Sequence, residues 1–185
     1  MRPPVPGDRG APPVASRVVE MVETSDEPDH WRWHNGAVAP GPAVVFDMDG
    51  VLSDASGRQH LLERPRRNWD AFFEAAGEDA LIEEVAQLLD LLEPDLRIVL
   101  LTARPISIQR HTLGWLERHA LRWDLLVMRE WGDYGASRDF KQDAVRELRQ
   151  FGFDLRLAFE DDRRNVDMFH REGVPCIYIH SGYYE

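Results

Sequence analysis

Short apolar runs recur along the chain from Pro42 onward, separated by longer segments in which apolar and polar residues follow a helical spacing. Continuous apolar runs of this kind are typical of strands that are buried on both faces of a sheet. The pattern therefore predicts five buried strands, which are AVVF at 43–46, RIVLL at 97–101, LLVM at 125–128, LRLAF at 155–159 and CIYI at 176–179.

The segments between these runs have the pattern of amphipathic helices. In FKQDAVRELRQF, the residues Phe140, Ala144, Val145 and Leu148 share one face, and RRNVDMFHREG ends at Gly173, a common helix stop. The other predicted helices are NWDAFFEAAG, DALIEEVAQLLDLL and ISIQRHTLGWLERHA. Strands that alternate with helices indicate an α/β fold, here a Rossmann-like three-layer sandwich with a mainly parallel central sheet.

The first 40 residues differ in composition from the rest of the chain. Residues 1–40 are rich in proline, glycine and charge, which predicts a flexible or loosely docked N-terminal arm before one domain over 41–185. Within the arm, His30 and His34 flank a pair of tryptophans. Because no cysteine or further histidine is near, we interpret this element as an aromatic anchor on the domain surface rather than a metal site.

The composition limits the classes of function. Hydrophobic residues make up 43% of 185 residues, enough for a buried core. The net charge of −11 argues against simple coating of duplex DNA, although not against an enzyme that binds one terminal phosphate. A single cysteine, Cys176, excludes an intrachain disulfide, and no apolar segment is long enough to span a bilayer. We expect a soluble cytoplasmic protein without a membrane partner.

Polar residues follow several of the predicted strands at the point where each strand ends. In open α/β sheets, ligands bind beyond the carboxyl ends of the strands. These residues, together with a lysine in the helix before the fourth strand, are Asp47, Asp49, Thr102, Arg104, Lys141, Glu160, Asp161 and Asp162. The predicted fold thus brings carboxylates, a hydroxyl and a lysine to one edge of the sheet.

This set of groups is suited to phosphoryl transfer through an acyl phosphate. The carboxylate of Asp47 can attack phosphorus and form an aspartyl-phosphate. Strand alternation places Asp49 on the same side, where it can protonate the leaving oxygen and then take a proton from water. Gly50 allows the chain to turn sharply at this point.

A phosphate beside two carboxylates requires a cation, and hard oxygen ligands select Mg²⁺. We predict that Asp161 completes a magnesium site, with Asp162 as a further candidate ligand. Lys141 would neutralise the remaining negative charge, and Thr102 would donate a hydrogen bond to a phosphoryl oxygen.

Four segments, VVFDMDGVL, VLLTARP, DFKQDAV and AFEDDRRNVDMF, resemble in order the motifs of the haloacid dehalogenase superfamily of phosphohydrolases. The resemblance implies that Asp47 is the nucleophile, that Asp49 is the general acid and base, and that Thr102 and Lys141 hold the phosphoryl group. It also implies that Asp161, Asp47 and the backbone carbonyl of Asp49 bind magnesium.

Two segments are also similar to the phosphatase domain of phage-type polynucleotide kinase-phosphatase. DMDGVLSDASGR places Arg58, and TARP places Arg104, where that domain has arginines that hold the substrate phosphate. The resemblance implies a phosphomonoester substrate, and in particular a nucleic-acid 3′-phosphate end or a nucleotide. The stretches 52–97 and 102–141 are too short for a large cap domain, which suits an open site.

Two other functions fit the same motifs, namely a phosphatase of a small metabolite and an inactive protein that binds phosphate or a partner. Among the aromatic residues, we interpret Trp69, Phe72 and Phe73 as core residues rather than a base-stacking surface. Trp131 and Tyr134 lie in a predicted loop, where they can either stack on a base or pack within the loop.

Overall fold

A mainly parallel sheet forms the centre of the fold. The computed structural model describes residues 28–63, 65–130, 132–133 and 135–183. Its strands are β1 (Trp31–Trp33), β2 (Pro42–Phe46), β3 (Ser53–Asp54), β4 (Ala80–Leu81), β5 (Arg97–Pro105), β6 (Leu125–Arg129), β7 (Asp154–Glu160) and β8 (Cys176–Tyr178). The sheet has the order β1-β6-β5-β2-β7-β8, in which only β1 is antiparallel to its neighbour. The five predicted strands and the predicted fold class are confirmed.

Helices cover both faces of this sheet. They are α1 (Trp69–Glu74), α2 (Glu83–Asp90), α3 (Gln109–Arg118), α4 (Ser137–Gln150) and α5 (Arg163–Arg171), with short 3-10 helices over Ala55–Leu62, Ala75–Glu78 and Ile106–Ile108. In β2, Val44 and Phe46 belong to the hydrophobic core beneath α2 and α3, whereas Val45 belongs to the core beneath α4 and α5. A central strand must therefore be apolar at every position, which is the pattern in the sequence.

The aromatic element near the N-terminus extends the sheet as its edge strand. β1 pairs with β6, and the Trp31 ring packs against Phe151 and Phe153 with ring centroids 4.6 and 6.1 Å apart. The sheet thus begins inside the segment that composition assigned to the N-terminal arm, because Trp31 supplies apolar surface that its polar neighbours lack. Residues 1–27 lie outside the described residues.

Residues 53–81 form a small insert between β2 and α2, hereafter the insert. It begins with β3 and ends with β4, and these two strands pair antiparallel, which brings the two ends of the insert together. Between them lie α1 and two 3-10 helices. The insert forms one wall of the cavity described below, rather than a layer of the sandwich.

Within the described ranges, no helix is long and apolar enough to cross a membrane. The predictions made for Trp131 and Tyr134 concern residues outside those ranges.

Candidate active site

Three carboxylates and one lysine meet at the carboxyl ends of β2 and β7. One carboxylate oxygen each from Asp47, Glu160 and Asp161 lies within 4.8 Å of the other two. Lys141 Nζ lies 2.9 Å from Asp47 Oδ1 and 2.7 Å from Glu160 Oε2. The structure thus brings Asp47, Lys141 and Asp161 together as the order of strands predicted, although they are far apart in the chain.

Lys141 reaches this point because it lies on the buried stripe of α4. Its spacing from Ala144, Val145 and Leu148 places all four on the face that packs on the sheet. α4 begins at Ser137, so Lys141 lies in its second turn rather than at its start. Burial lowers the pKa of a lysine, but the carboxylates of Asp47 and Glu160 outweigh this effect and raise the pKa of Lys141. The ammonium group is therefore charged at any physiological pH.

Glu160 is a site residue for which the sequence predicted a position, after the fourth apolar run, but no role. It is the last residue of β7 and is fully buried. Its Oε2 accepts the hydrogen bond from Lys141, and its Oε1 accepts bonds from the backbone N–H groups of Asp161 and Asp162. Glu160 therefore fixes both the lysine and the loop that carries Asp161.

Gly50 permits the close approach of Asp161 to the turn after β2. It has a φ of +81°, and a Cβ at this position would lie 2.0 Å from Asp161 Oδ2. A side chain here would be both strained and in collision with the carboxylate. The predicted turn is confirmed, and the lack of a side chain at Gly50 also leaves room for the Asp161 carboxylate.

The acidic cluster fits a divalent cation. Asp161 Oδ2 is buried and has no hydrogen-bond partner. Burial, followed by the charge of Asp47, raises the pKa of Asp161 to about 7, and burial and the charge of Glu160 raise the pKa of Asp47 well above its usual range. One lysine does not balance three buried carboxylates, so a hard cation would satisfy both the unpaired oxygen and the excess charge.

Asp49 lies beside this cluster, and its side chain pairs with two arginines. Arg58 and Arg104 each place a guanidinium nitrogen 2.5 Å from Asp49 Oδ1. Burial would raise the pKa of Asp49, but the charges of Arg104 and Arg58 outweigh it and lower the pKa to about 2. The predicted general acid is thus ionised in this arrangement.

Asp79, at the end of the insert, holds both arginines in place and was missed by the sequence reasoning. Arg58 donates to Asp79 from Nε at 2.9 Å and from a terminal nitrogen at 2.7 Å, and Arg104 lies 3.4 Å away. Ser53 also donates to Asp79. Only the folding of the insert brings Asp79 here, and no local motif in the sequence marks it.

The two arginines predicted to hold the substrate phosphate are buried, and they lie behind Asp49. Arg58 is 2% exposed and Arg104 is 0% exposed, and neither is among the described residues that line the cavity. Thr102 is buried next to them, and its hydroxyl oxygen accepts a hydrogen bond from the Arg104 backbone N–H. The hydroxyl proton of Thr102 remains able to donate.

Asp162, the further candidate ligand, has a different position from Asp161. It is the N-cap of α5, where its side chain accepts from the backbone N–H of Arg164, and it pairs with the Arg164 guanidinium at 2.6 Å. Among the described residues, the acidic cluster contains Asp161 and not Asp162.

A cavity of about 1080 Å³ contains Asp47, Asp49 and Lys141 in its lining. One wall is the insert, with Arg67, Trp69 and Phe73, and residues 129–130, 132–133 and 135–138 form another part of the lining. Small-molecule pockets are usually about 300–1,000 Å³, so this cavity has room for more than a phosphate group.

The mainly parallel sheet, with Asp47, Thr102, Lys141 and the acidic loop after β7 at its carboxyl edge, has the architecture of the haloacid dehalogenase class. Within this class, residues 41–184 match the sequence model of the family described as the polynucleotide kinase PNKP phosphatase domain. The match covers more than half of the chain, and the protein belongs to this family.

Solved structures agree with this assignment. A chain in the structure of the Pnkp1/Rnl/Hen1 RNA repair complex is 25% identical with a TM-score of 0.65, and the alignment covers 84% of this chain and 47% of that chain. A second Pnkp1/Rnl/Hen1 structure gives 26% identity and a TM-score of 0.65, over 80% and 49% of the two chains. The protein thus spans about half the length of these relatives. A class C acid phosphatase from Bacillus anthracis with tungstate bound shares the fold, with a TM-score of 0.55 and 17% identity over 80% and 69% of the two chains.

Proposed function

We propose that this protein is a magnesium-dependent phosphomonoesterase that removes 3′-phosphates from nucleic-acid ends or nucleotides through an aspartyl-phosphate on Asp47. The observation that carries the proposal is the position of the Asp47 carboxylate, in the lining of the cavity, 2.9 Å from Lys141 and within the acidic cluster. The family supports a polynucleotide end as the substrate, and the first two solved relatives come from an RNA repair complex.

In the first half of the reaction, a carboxylate oxygen of Asp47 attacks phosphorus, and the bond from phosphorus to the leaving oxygen breaks. Asp49 gives its proton to that oxygen. In the second half, Asp49 takes a proton from water as the water attacks the acyl phosphate, which releases inorganic phosphate and the Asp47 carboxylate.

Asp47 and Asp161, with the backbone carbonyl of Asp49, would hold the magnesium ion, and Glu160 would orient Lys141 beside them. When bound, the cation supplies positive charge that lets an anionic phosphate approach an anionic nucleophile. Lys141 and the Thr102 hydroxyl stabilise the negative charge on the transferred phosphoryl oxygens.

Arg58 and Arg104 contribute through Asp49. A phosphate group that enters beside Asp49 adds negative charge, which raises the pKa of the carboxyl against the lowering effect of the two guanidinium groups. Substrate binding would thus favour the protonated form that the leaving oxygen needs. The arginines thus act on the phosphate through Asp49, because both are buried and neither is among the described residues that line the cavity.

The decisive experiment compares 3′-phosphorylated oligonucleotides, nucleotides and sugar phosphates with purified protein and Mg²⁺. We expect the 3′-phosphorylated ends to have the highest kcat/KM. Equal or faster turnover of sugar phosphates would favour a metabolite phosphatase instead.

The second experiment tests the nucleophile. We expect Asp47→Asn to abolish turnover without loss of the fold, because the amide cannot form the acyl phosphate. Asp143→Asn, on the exposed side of α4, is the matched control and should retain wild-type rates. Phosphate release by Asp47→Asn, at a rate close to wild type, would exclude the mechanism.

A further inference from the structure

Trp69, at the first turn of α1, is exposed in the wall of the cavity. The sequence predicted it to be a core residue, but 46% of its surface is exposed, whereas its neighbour Phe72 is 5% exposed. Both residues line the cavity that contains Asp47. The helix begins at Trp69, so this side chain lies at the edge of the insert, while Phe72 points into it.

The exposed indole is held at a fixed angle by two aromatic contacts. Its ring lies 5.7 Å from Phe73 at an interplanar angle of 27°, and 5.8 Å from Phe72 at 81°. Exposing a large apolar ring to water is unfavourable, and its immobilisation reduces the entropy cost of binding a ligand against it. A rigid, solvent-exposed aromatic ring in a ligand cavity is suited to stacking on a flat heterocycle.

The net charge of the protein favours a contact to a nucleic-acid end that does not depend on charge. With a net charge of −11, the molecule as a whole does not attract a polyanion. The cavity lining contains acidic residues, such as Glu63 and Asp70, beside basic residues, such as Arg67 and Arg138. Stacking on an aromatic ring does not depend on charge, and it contributes about 1–3 kcal/mol per base.

The aromatic contact is physically joined to the reacting groups. Arg58 donates to the backbone carbonyl of Phe72 at 3.2 Å, and its guanidinium lies 4.1 Å from the centre of the Phe72 ring. The same guanidinium pairs with Asp49. Arg58 thus contacts both the helix that carries Trp69 and the carboxylate of Asp49. These contacts fix the distance between Trp69 and Asp49.

We propose that Trp69 stacks on the base of the 3′-terminal nucleotide and is the residue that makes the enzyme prefer nucleic-acid ends over sugar phosphates. This inference rests on the proposed function. The phosphate lies at Asp47 and Lys141, and the base of the same nucleotide lies on Trp69.

The test uses two 3′-phosphorylated oligonucleotides that differ only in whether the terminal residue carries a base or is abasic. For the wild-type protein with Mg²⁺, we expect kcat/KM to be about 5- to 150-fold higher with the base, the range that corresponds to one stacked base. The difference should lie mainly in KM, because stacking stabilises the bound substrate and the transition state alike.

In Trp69→Ala this ratio should fall close to 1, and Trp69→Phe should retain part of it. The matched control is Leu91→Ala, which changes a side chain that is 82% exposed and is not among the lining residues, and which should keep the wild-type ratio. Thermal melting of each variant shows whether it is folded.

The outcomes separate the inference from the function on which it rests. If the wild-type protein dephosphorylates both oligonucleotides equally well, or if Trp69→Ala keeps the full ratio of kcat/KM values, the stacking role is wrong while the 3′-phosphatase function stands. If the wild-type protein dephosphorylates neither oligonucleotide but hydrolyses sugar phosphates, the proposed function is wrong, and the stacking role is wrong with it.

Discussion

Asp49 has to satisfy two demands that conflict at the level of a single carboxyl group. As the general acid it must carry a proton, yet Arg104 and Arg58 lower its pKa to about 2. In the free protein it is therefore ionised at neutral pH. The proton must then arrive with the substrate, and a phosphate monoester carries one below its second pKa of about 6.

This predicts the pH dependence of the reaction with a nucleic-acid 3′-phosphate. At fixed Mg²⁺, kcat/KM should fall as the pH rises above about 6, because the monoanionic ester becomes scarce while Asp49 holds no proton. An aryl phosphate, whose leaving group needs less protonation, should show a shallower fall. A kcat/KM for the nucleic-acid end that increases steadily with pH would contradict this account.

The pKa of Asp161 is shifted upward, opposite to that of Asp49, and this shift predicts how stability depends on pH. Its pKa is raised from 3.8 to about 7, so folding favours its protonated form. The metal-free protein should lose stability as the pH rises from about 4 to about 7, because the folded state must then hold an unfavourable carboxylate.

Asp161→Asn should therefore lose less stability than the wild-type protein across this pH window without metal, while Asp47, whose pKa burial and the charge of Glu160 also raise, keeps part of the pH dependence. At pH 8, Mg²⁺ should raise the melting temperature of the wild-type protein but not of this variant, since an ion at 100 times its Kd stabilises by about 2.7 kcal/mol. Asp143→Asn serves as the exposed control. A full magnesium-dependent rise in Asp161→Asn would place the ion elsewhere.

At the scale of elements, the insert determines the surroundings of the site. The pairing of β3 with β4 brings Asp79 back beside the turn after β2, where it meets Arg58 and Ser53. The insert thus supplies both the arginine that holds Asp49 and the aspartate that holds the arginine. Its other residues form the aromatic wall of the cavity.

The contribution of Asp79 to stability and to turnover can be measured. Asp79→Asn leaves two buried guanidinium groups with one carboxylate, so we expect a loss of about 3–5 kcal/mol in the free energy of unfolding and a large loss of kcat. Asp139→Asn breaks an exposed pair with Arg138 and should cost at most about 1 kcal/mol. Equal, small effects of both substitutions in chemical denaturation would mean that the insert is not held by this network.

At the scale of the whole molecule, the acidic charge and the localised site determine how a long substrate is bound. With a net charge of −11, the surface should make few contacts to phosphates beyond the terminal one.

We therefore expect kcat/KM to be nearly the same for short and long 3′-phosphorylated strands, and to decrease only weakly with salt. One or two phosphate contacts correspond to a slope of about −0.7 to −1.4 in a plot of log kcat/KM against log salt concentration. A much steeper slope, or a strong gain with strand length, would mean that the strand contacts a basic surface beyond the terminal phosphate.

Much of the site was predictable because the relevant residues lie at the ends of strands. A strand buried on both faces must be apolar, so the position where polar residues resume marks its end, as at Asp47 after Phe46. Lys141 was also predictable as a member of the site, but its polar character hid the fact that it lies on the buried stripe of α4.

Three features were not predictable in this way. The position of Glu160 after a strand was noted but its contact with Lys141 was not, Asp79 lies in no motif, and Trp69 followed the apolar pattern of a core residue although it is exposed. Each depends on what a distant segment places beside it, which apolar spacing does not encode.

The sequence by itself determined the sandwich, the order in which carboxylates and a lysine reach one edge, and the class of chemistry, because strand burial and strand ends are local properties of the chain. Only the tertiary structure decided which charges face one another. The closure of the insert brings Arg58 to Asp49, beside Arg104 of β5, and exposes Trp69 in the cavity wall, because electrostatic pairing and exposure depend on distances between segments that the chain order does not specify.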